Sequence, residues 1–384
     1  MGGIGMAFQA DSIECKTFTD LGSLEKYVQD EEKRYALVPI CNFYENHAQF
    51  SDDKYYGNRK QWIRFNEYGF KALCSLTKIP YKFISELQEP ELTTRVLNDQ
   101  LRRHEIQKTL NNYQFVLDQE TMTVAGVVSY TYLAYSNSTF IKHLKECFPD
   151  IISSFEITTS YSINTNLYIR MLSPKMQAGI IRGRGGTDKD ISRVGFQLSN
   201  SMVGTKSIKA DFFVLRLICA NGLVLPSTSH SGIVNHRGKP ETFKKRLEEN
   251  ITPIFKNIKS SIKLIEEIGN IQYDVEKLVD EGGAEKVYNI IQLNYWDSIK
   301  RGKLKGNDLR KFDIDKISQY PTLYGGDITK NIFGSYFRDN HSMFDFINVF
   351  TEHAKEKVGQ ARIDIERESG VLANWIFKNK KKFI

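Results

Sequence analysis

Apolar residues recur along this chain with two different periods, and the change between them sets the expected architecture. In the middle third the period is two. Tyr113 to Leu117 and Met122 to Ser129 alternate as the strands of a hairpin around Asp118 to Thr121. Phe155 to Ile163 and Asn166 to Met171 form two further strands around a turn at Asn164 and Thr165, and Val194 to Ser199 pairs with Lys206 to Leu217 across a polar crossing that holds Gly204. Within Phe212 to Ala220 Arg216 alone interrupts a run of Phe, Val, Leu, Ile and Cys, the pattern of a strand buried on both faces. Ala220-Asn221-Gly222 then supplies a turn.

Outside this region the period lengthens to that of a helix. Leu24, Tyr27 and Val28 predict a short helix ahead of a strand at Tyr35 to Cys41, and Phe43 to Gln61 reads as a polar, aromatic loop. Asn66 is placed to cap a helix, with Phe65 and Phe70 as its hydrophobic staple and Pro80 as its stop. Runs through Phe83, Ile84 and Leu87, and from Leu92 to Leu110, continue the helical pattern. A helix from Ser138 to Cys147, closed by Pro149, interrupts the strands. Beyond Lys239, Phe243, Leu247, Ile251, Ile254, Phe255 and Ile258 share one helical face with a kink at Pro253, and Leu264, Ile265 and Ile268 extend it to Gly269. Met343, Phe346, Ile347 and Phe350 open a helix expected from Ser342 to about Arg367.

These elements predict an α+β protein: a central antiparallel sheet, a meander with an inserted helix, covered on one side by helices from both ends. Four regions follow. Residues 1–19 form a flexible start, 20–112 a mainly helical region, 113–238 a β-rich core and 239–384 a helical region ending in a basic tail at Lys378, Lys380, Lys381 and Lys382. The 384 residues suffice for a sizeable core without disulfides. The five cysteines stand singly, as in a reducing cytoplasm, and no stretch is apolar enough to cross a bilayer. The first residues lack a basic region followed by an apolar one, so the expected location is cytoplasmic.

Charge changes the picture more than composition does. The formal net charge of +7 is modest, yet Arg170 to Arg246 holds fourteen Lys and Arg against four Asp and Glu. Positive charge therefore gathers on the β-rich core and favours a polyanionic partner there. Arg182-Gly183-Arg184-Gly185-Gly186 lies in an expected loop from Gly179 to Arg193, where glycines let amides and guanidinium groups approach a phosphate. An exposed hairpin tip is the plainer reading. Tyr130, Tyr132, Tyr135, Tyr161, Tyr168 and Phe196 interleave with the cations, a pattern shared by single-strand binders and ordinary strands.

Catalytic templates are missing: there is no G-x-S-x-G, H-E-x-x-H or C-x-x-C. Asp313 and Asp315 read as partners of nearby lysines. His230, His236 and Cys219 lack evident third and fourth ligands for a metal, so His236 reads as a hydrogen-bonded turn residue and neither a metal nor a cofactor is expected. Arg216 within an apolar strand must either form an internal ion pair or open onto a groove as a phosphate ligand.

The string LSNSMVGTKSIKADFFVLRLICANGL, followed by NHRG and a basic helix, resembles the phage and plasmid family known as domain of unknown function 932. The matching residues are Asn200, Ser201, Arg216, Cys219, Asn221 and His236, with FNEYGFKALCSLTKIPYKFISEL and NHSMFDFINVFTEHA as further segments. The resemblance implies a mobile element of prokaryotes and no settled activity. The order of elements is similar to that of phage single-strand annealing proteins, by analogy of fold order. The resulting expectation is a non-enzymatic, oligomeric protein that binds single-stranded DNA in replication or recombination. Phosphate contacts would fall to Arg182, Arg184, Arg193, Lys206, Lys209, Arg216, Arg237, Lys244, Lys245 and Arg246. The alternative is an interaction protein whose basic face meets an acidic host factor.

Overall fold

The structure, a computed structural model, describes residues 15–40, 49–51, 54–56, 62–87, 90–106, 108–181, 189–217, 220–226, 232–283, 286–287, 289–290, 342–355, 357 and 359–383. The chain opens with strand β1 (Cys15–Phe18), helix α1 (Leu21–Glu32) and β2 (Tyr35–Pro39). Two short strands follow, β3 (Gln49–Ser51) and β4 (Lys54–Tyr56), inside the stretch expected to be loop, and then β5 (Trp62–Phe65). Helices α2 (Glu67–Leu76), α3 (Tyr81–Glu86) and α4 (Pro90–Ile106) precede the hairpin of β6 (Tyr113–Asp118) and β7 (Thr123–Ser129). Asn66 caps α2 by accepting from the Gly69 amide at 2.8 Å, and the Phe65 and Phe70 rings meet edge to face, as the sequence predicts.

Next come α5 (Asn137–Cys147), α6 (Pro149–Ser154), β8 (Glu156–Ile157), β9 (Ser160–Ile163) and β10 (Asn166–Ile181). Pro149 opens α6 rather than closing α5, because its missing amide is no loss at a first helical position. The sheet continues through β11 (Lys189–Ser201), β12 (Ile208–Arg216), β13 (Asn221–Leu225) and β14 (Ile233–Val234). The last elements are α7 (Pro240–Lys256), which carries Pro253 inside it, α8 (Ile258–Gly269), α9 (Val275–Asp280), α10 (Met343–Ala354) and α11 (Gln360–Lys378). The single helix expected from Ser342 to Arg367 is thus two. Gly359 adopts φ +65 immediately before α11, a backbone that breaks the helical path. None of the described helices is long and apolar enough to cross a membrane.

The α+β architecture is as expected, with a larger antiparallel sheet at its centre. Its strands run β1-β9-β10-β11-β12-β13, with β14 on β12 and β8 on β10. Strands β10 and β11 extend well past the expected loop boundaries: Ile181 pairs with Lys189, so Gly179 to Ile181 and Lys189 to Arg193 of the expected loop are paired strand. A register shift between Leu172 and Gln177 bends that hairpin. A second, smaller sheet has the order β2-β6-β7-β5-β4-β3 and takes strands from both sides of residue 113. Its β5 runs parallel to β7.

Period-two alternation divides the larger sheet into two unlike faces. Leu167, Ile169 and Met171 of β10, Phe196 and Leu198 of β11, and Ile208, Ala210 and Val214 of β12 point into the main core. Helices α1, α5, α7, α8 and α10 supply the opposing apolar groups, among them Leu24, Phe140, Phe243, Ile265 and Phe346. On the other face lie Tyr168, Arg170, Gln197 and Asp211, and α11 covers it. Helices therefore occupy both faces instead of one. The physical reason is polar: Arg170 and Glu366 are almost fully buried, and each needs the other.

Helix α11 can approach β13 closely because Gly370 has no side chain. A Cβ there would fall 1.9 Å from the Val224 carbonyl oxygen, a backbone atom that cannot move aside alone. Gly370→Ala is expected to destabilise the fold by about 2 kcal/mol: the overpacking exceeds the roughly 1 kcal/mol that alanine contributes to a helix interior. Urea unfolding of the variant checks this, and a gain in stability would mean that the helix is free to lift.

Candidate nucleic-acid interface

The ten cations expected to contact phosphate are divided by the fold. Arg182 and Arg184 lie outside the described residues, as do His230, Cys219, Asp313 and Asp315. Arg193 donates to Glu156 at 2.6 Å and to the Ser173 carbonyl at 3.2 Å. Arg216 is buried against Asp190, with Asp345 of α10 at 3.4 Å, so it forms an internal ion pair and not a phosphate ligand. Seven residues separate it from Lys209 on β12, about 23 Å along a strand. Lys244 pairs with Glu146 at 2.5 Å, and Lys245 with Glu249 at 3.8 Å. The expected basic tail is also engaged, Lys380 with Glu267 and Lys382 with Glu281.

The remaining four fall into two pairs: Lys206 with Lys209, whose charges act on each other, and Arg237 with Arg246, which donates to its carbonyl. Lys206 lies in the turn between β11 and β12, which docks on the smaller sheet where Gly126 leaves room for Val203. Its Nζ donates to the Tyr168 hydroxyl and sits 5.0 Å from that ring. Tyr168 in turn donates to Gln360 Oε1 at 2.7 Å, and Gln360 Nε2 donates to Asp364 at 2.5 Å. Helix α11 also brings Arg367, whose charge acts on Lys206 and Lys209, while Tyr68 of α2 acts on Asp364 and Tyr168. The Nε of Arg367 is buried and has no partner among the described residues.

This convergence shifts the protonation of the groups that take part in it. Burial first, then Arg367 and Lys209, pushes the Lys206 ammonium down to about 8 against the pull of Asp364. Burial lowers Lys209 as well, and Arg367 adds to it. Burial raises the Asp364 carboxyl and lifts the Tyr68 phenol to about 12. Like charges gathered in a half-buried cluster carry an electrostatic cost that a bound anion would remove.

Arg237 and Arg246 continue the same strip. Ser207 donates to Asn235 at 2.7 Å, and Lys209 pairs with Ile233 in the β12–β14 ladder. Arg246 donates to the carbonyls of Arg237 and Asn235, which fixes the crossing ahead of α7. The side chain of Arg237 is exposed. Of the six aromatic residues considered for stacking, Tyr135, Tyr161, Tyr168 and Phe196 are buried, and Tyr132 stacks on His236 with ring centres 5.0 Å apart. Tyr130 is 48% exposed and lies two residues from Tyr132, which bridges Arg237.

His236 organises this crossing, as its sequence context predicts. Its Nδ1 donates to the Leu133 carbonyl at 3.2 Å, and burial pushes the imidazole down to about 4. Asn200 donates to the Tyr135 carbonyl at 3.0 Å and to Asn137 at 2.9 Å, while Ser201 bonds Thr205 at 2.9 Å. These residues of the motif are supports rather than ligands. Among the described residues no group of three His, Cys, Asp or Glu could hold a metal ion. A cavity of 240 Å³ lies between Phe212, Leu225, Leu264 and Phe377, and Lys206, Lys209, Arg237 and Arg367 do not line it.

Sequence reasoning found Lys206, Lys209, Arg237 and Arg246 but missed Arg367, Asp364, Gln360 and Tyr68. Asp364 and Arg367 stand three apart, the spacing of one helical face, yet nothing local says that this face meets β10. The chain is thus an α+β protein with a group of partly buried lysines, Lys206 and Lys209, beside an exposed Arg237. Compared with known proteins, the chain matches no family model, no curated protein and no solved structure.

Proposed function

We propose that the chain binds nucleic acid, with single-stranded DNA as its ligand, along the strip from Arg367 and Lys206 through Lys209 to Arg237. The role fits a phage or plasmid protein of replication or recombination. The supporting observation is the gathering of Lys206, Lys209 and Arg367 from separate elements, close enough that their charges act on one another and that a polyanion would relieve the repulsion. Tyr130 flanks the strip with an exposed ring on which a base can stack.

Four phosphate contacts predict that log affinity for a single strand falls with log salt at a slope of about −3. Reversing two of them, in the Lys209→Glu and Arg237→Glu double variant, should reduce affinity at least about tenfold and flatten the slope to about −1.4. Fluorescence anisotropy with a labelled oligonucleotide across a salt series measures both. Affinity that ignores salt and the double reversal would remove this reading and leave a protein partner as the target of the basic face.

A further inference from the structure

The surroundings of Lys206 exceed what holding a phosphate requires. An exposed lysine serves that purpose as a mobile point charge. Here the amine is fixed by its bond to the Tyr168 hydroxyl, which is fixed by Gln360, which is fixed by Asp364, a directional chain from β10 to α11. Asp364 acts on Lys206 through space. The groups facing the amine are Tyr168 of β10, Lys209 of β12, and Asp364 and Arg367 of α11, with Tyr68 of α2 behind them.

We propose that Lys206 is a nucleophilic amine that condenses with an aldehyde carrying a phosphate group, the phosphate being held by Lys209 and Arg367. The neutral Nζ attacks the carbonyl carbon with its lone pair, and the C=O π pair moves to oxygen, which takes up a proton. The resulting carbinolamine loses water as the C=N bond forms, so amine plus aldehyde gives imine plus water. No oxidant or reductant is consumed. Tyr168 acts as a positioning residue, keeping one N–H directed away so that the lone pair is presented. Lys209 stands across Ser199 from Tyr168 on the same face of the sheet, and Arg367 lies two helical turns beyond Gln360 on the side of α11 that meets Tyr168, which brings both cations to the side of the amine.

An amine at about 8 instead of an ordinary lysine value is neutral roughly 300-fold more often near neutral pH. Lower basicity also weakens a nucleophile, with a Brønsted coefficient near 0.4–0.5 for thiols, so the net advantage over an exposed lysine is about 20-fold. Two sources of a phosphorylated aldehyde share this chemistry: a free small molecule, and the ring-opened sugar of an abasic site within a DNA strand. The inference shares Lys209 and Arg367 with the proposed interface, and the test separates the two.

Full-length protein is treated in one arm with pyridoxal 5′-phosphate and in another with an oligonucleotide bearing a single abasic site. Borohydride then reduces any imine to a stable secondary amine, and peptide mass mapping locates it. Lys206 is expected to carry the adduct about 20-fold above any other lysine in at least one arm, and Lys206→Arg should abolish that preference. The Lys209→Met and Arg367→Met double variant should lower labelling by pyridoxal 5′-phosphate more than labelling by unphosphorylated pyridoxal, which falls only as far as the Lys206 amine regains basicity without those two charges. Adduct in the free arm only identifies a small molecule as the source. Adduct on Lys206 without oligonucleotide affinity keeps this inference and removes the nucleic-acid reading. Random labelling of surface lysines in both arms of the wild-type protein overturns it, whatever the variants do.

Discussion

Replacing Glu366 with glutamine is expected to destabilise the protein by about 3–5 kcal/mol, the usual loss when one member of a buried ion pair is removed. Glu366 is fully buried and is shared by two guanidinium groups, Arg170 across the sheet face and Arg362 one helical turn away at 2.9 Å. Arg362 can turn towards solvent, but Arg170 cannot. What remains around Arg170 is Gln197 at 2.8 Å and the faces of Phe213 and Tyr161, with ring centres 4.6 and 5.0 Å away. Those contacts soften the loss without neutralising the charge. The double replacement Arg170→Met with Glu366→Leu should recover most of the stability, since apolar groups of similar volume need no partner. Chemical denaturation of all three variants tests this, and a Glu366→Gln protein within about 1 kcal/mol of the wild type would show that water reaches the pair.

The second large effect is expected from His236 as acidity increases. The imidazole is held at about 4 in the fold, whereas in the unfolded chain it titrates near 6.5. At neutral pH both states are uncharged and the group contributes nothing to the pH dependence. As pH falls through 6.5 the unfolded chain gains a proton that the folded protein refuses until about 4. Stability is therefore lost across that window, in total by about 3 kcal/mol. His236→Gln keeps a donor for the Leu133 carbonyl and removes the titration. The stability difference between wild type and variant should shift by about 3 kcal/mol in favour of the variant between neutral pH and pH 4; a constant difference would place His236 in contact with water.

Which parts of this molecule could be read from the chain follows from how far apart the interacting residues are. The hairpins of β6 with β7 and of β11 with β12 were legible because alternation and turn residues are local signals. So was the α2 cap at Asn66. The smaller sheet was not, because its parallel contact joins Arg64 and Phe65 to Thr123 and Val124, and a four-residue strand such as β5 carries little pattern of its own. Arg216 was legible as a residue in need of a partner, yet Asp190 and Asp345 could not be named from spacing. The same distance hides the cationic cluster. Lys206 and Lys209 stand close in sequence, but Arg367 and Gln360 reach them only through the crossing of α11 over β10. Charge counting located the right neighbourhood while overstating it, since Arg193, Arg216 and Lys244 meet carboxylates contributed by other elements and Lys245 meets Glu249 one turn along its own helix.

The pairing of Arg170 with Glu366 also bears on how the protein is made. Its two halves are 196 residues apart, so a ribosome adding about 5–20 residues per second produces the guanidinium some 10–40 s before the carboxylate that neutralises it. During that interval the hairpin of β10 and β11 can form, but its charged surface must stay wet. The sheet should therefore remain open on that side in the nascent chain and close only when α11 emerges, which makes the late-synthesised helix the trigger for sealing a core that was begun much earlier.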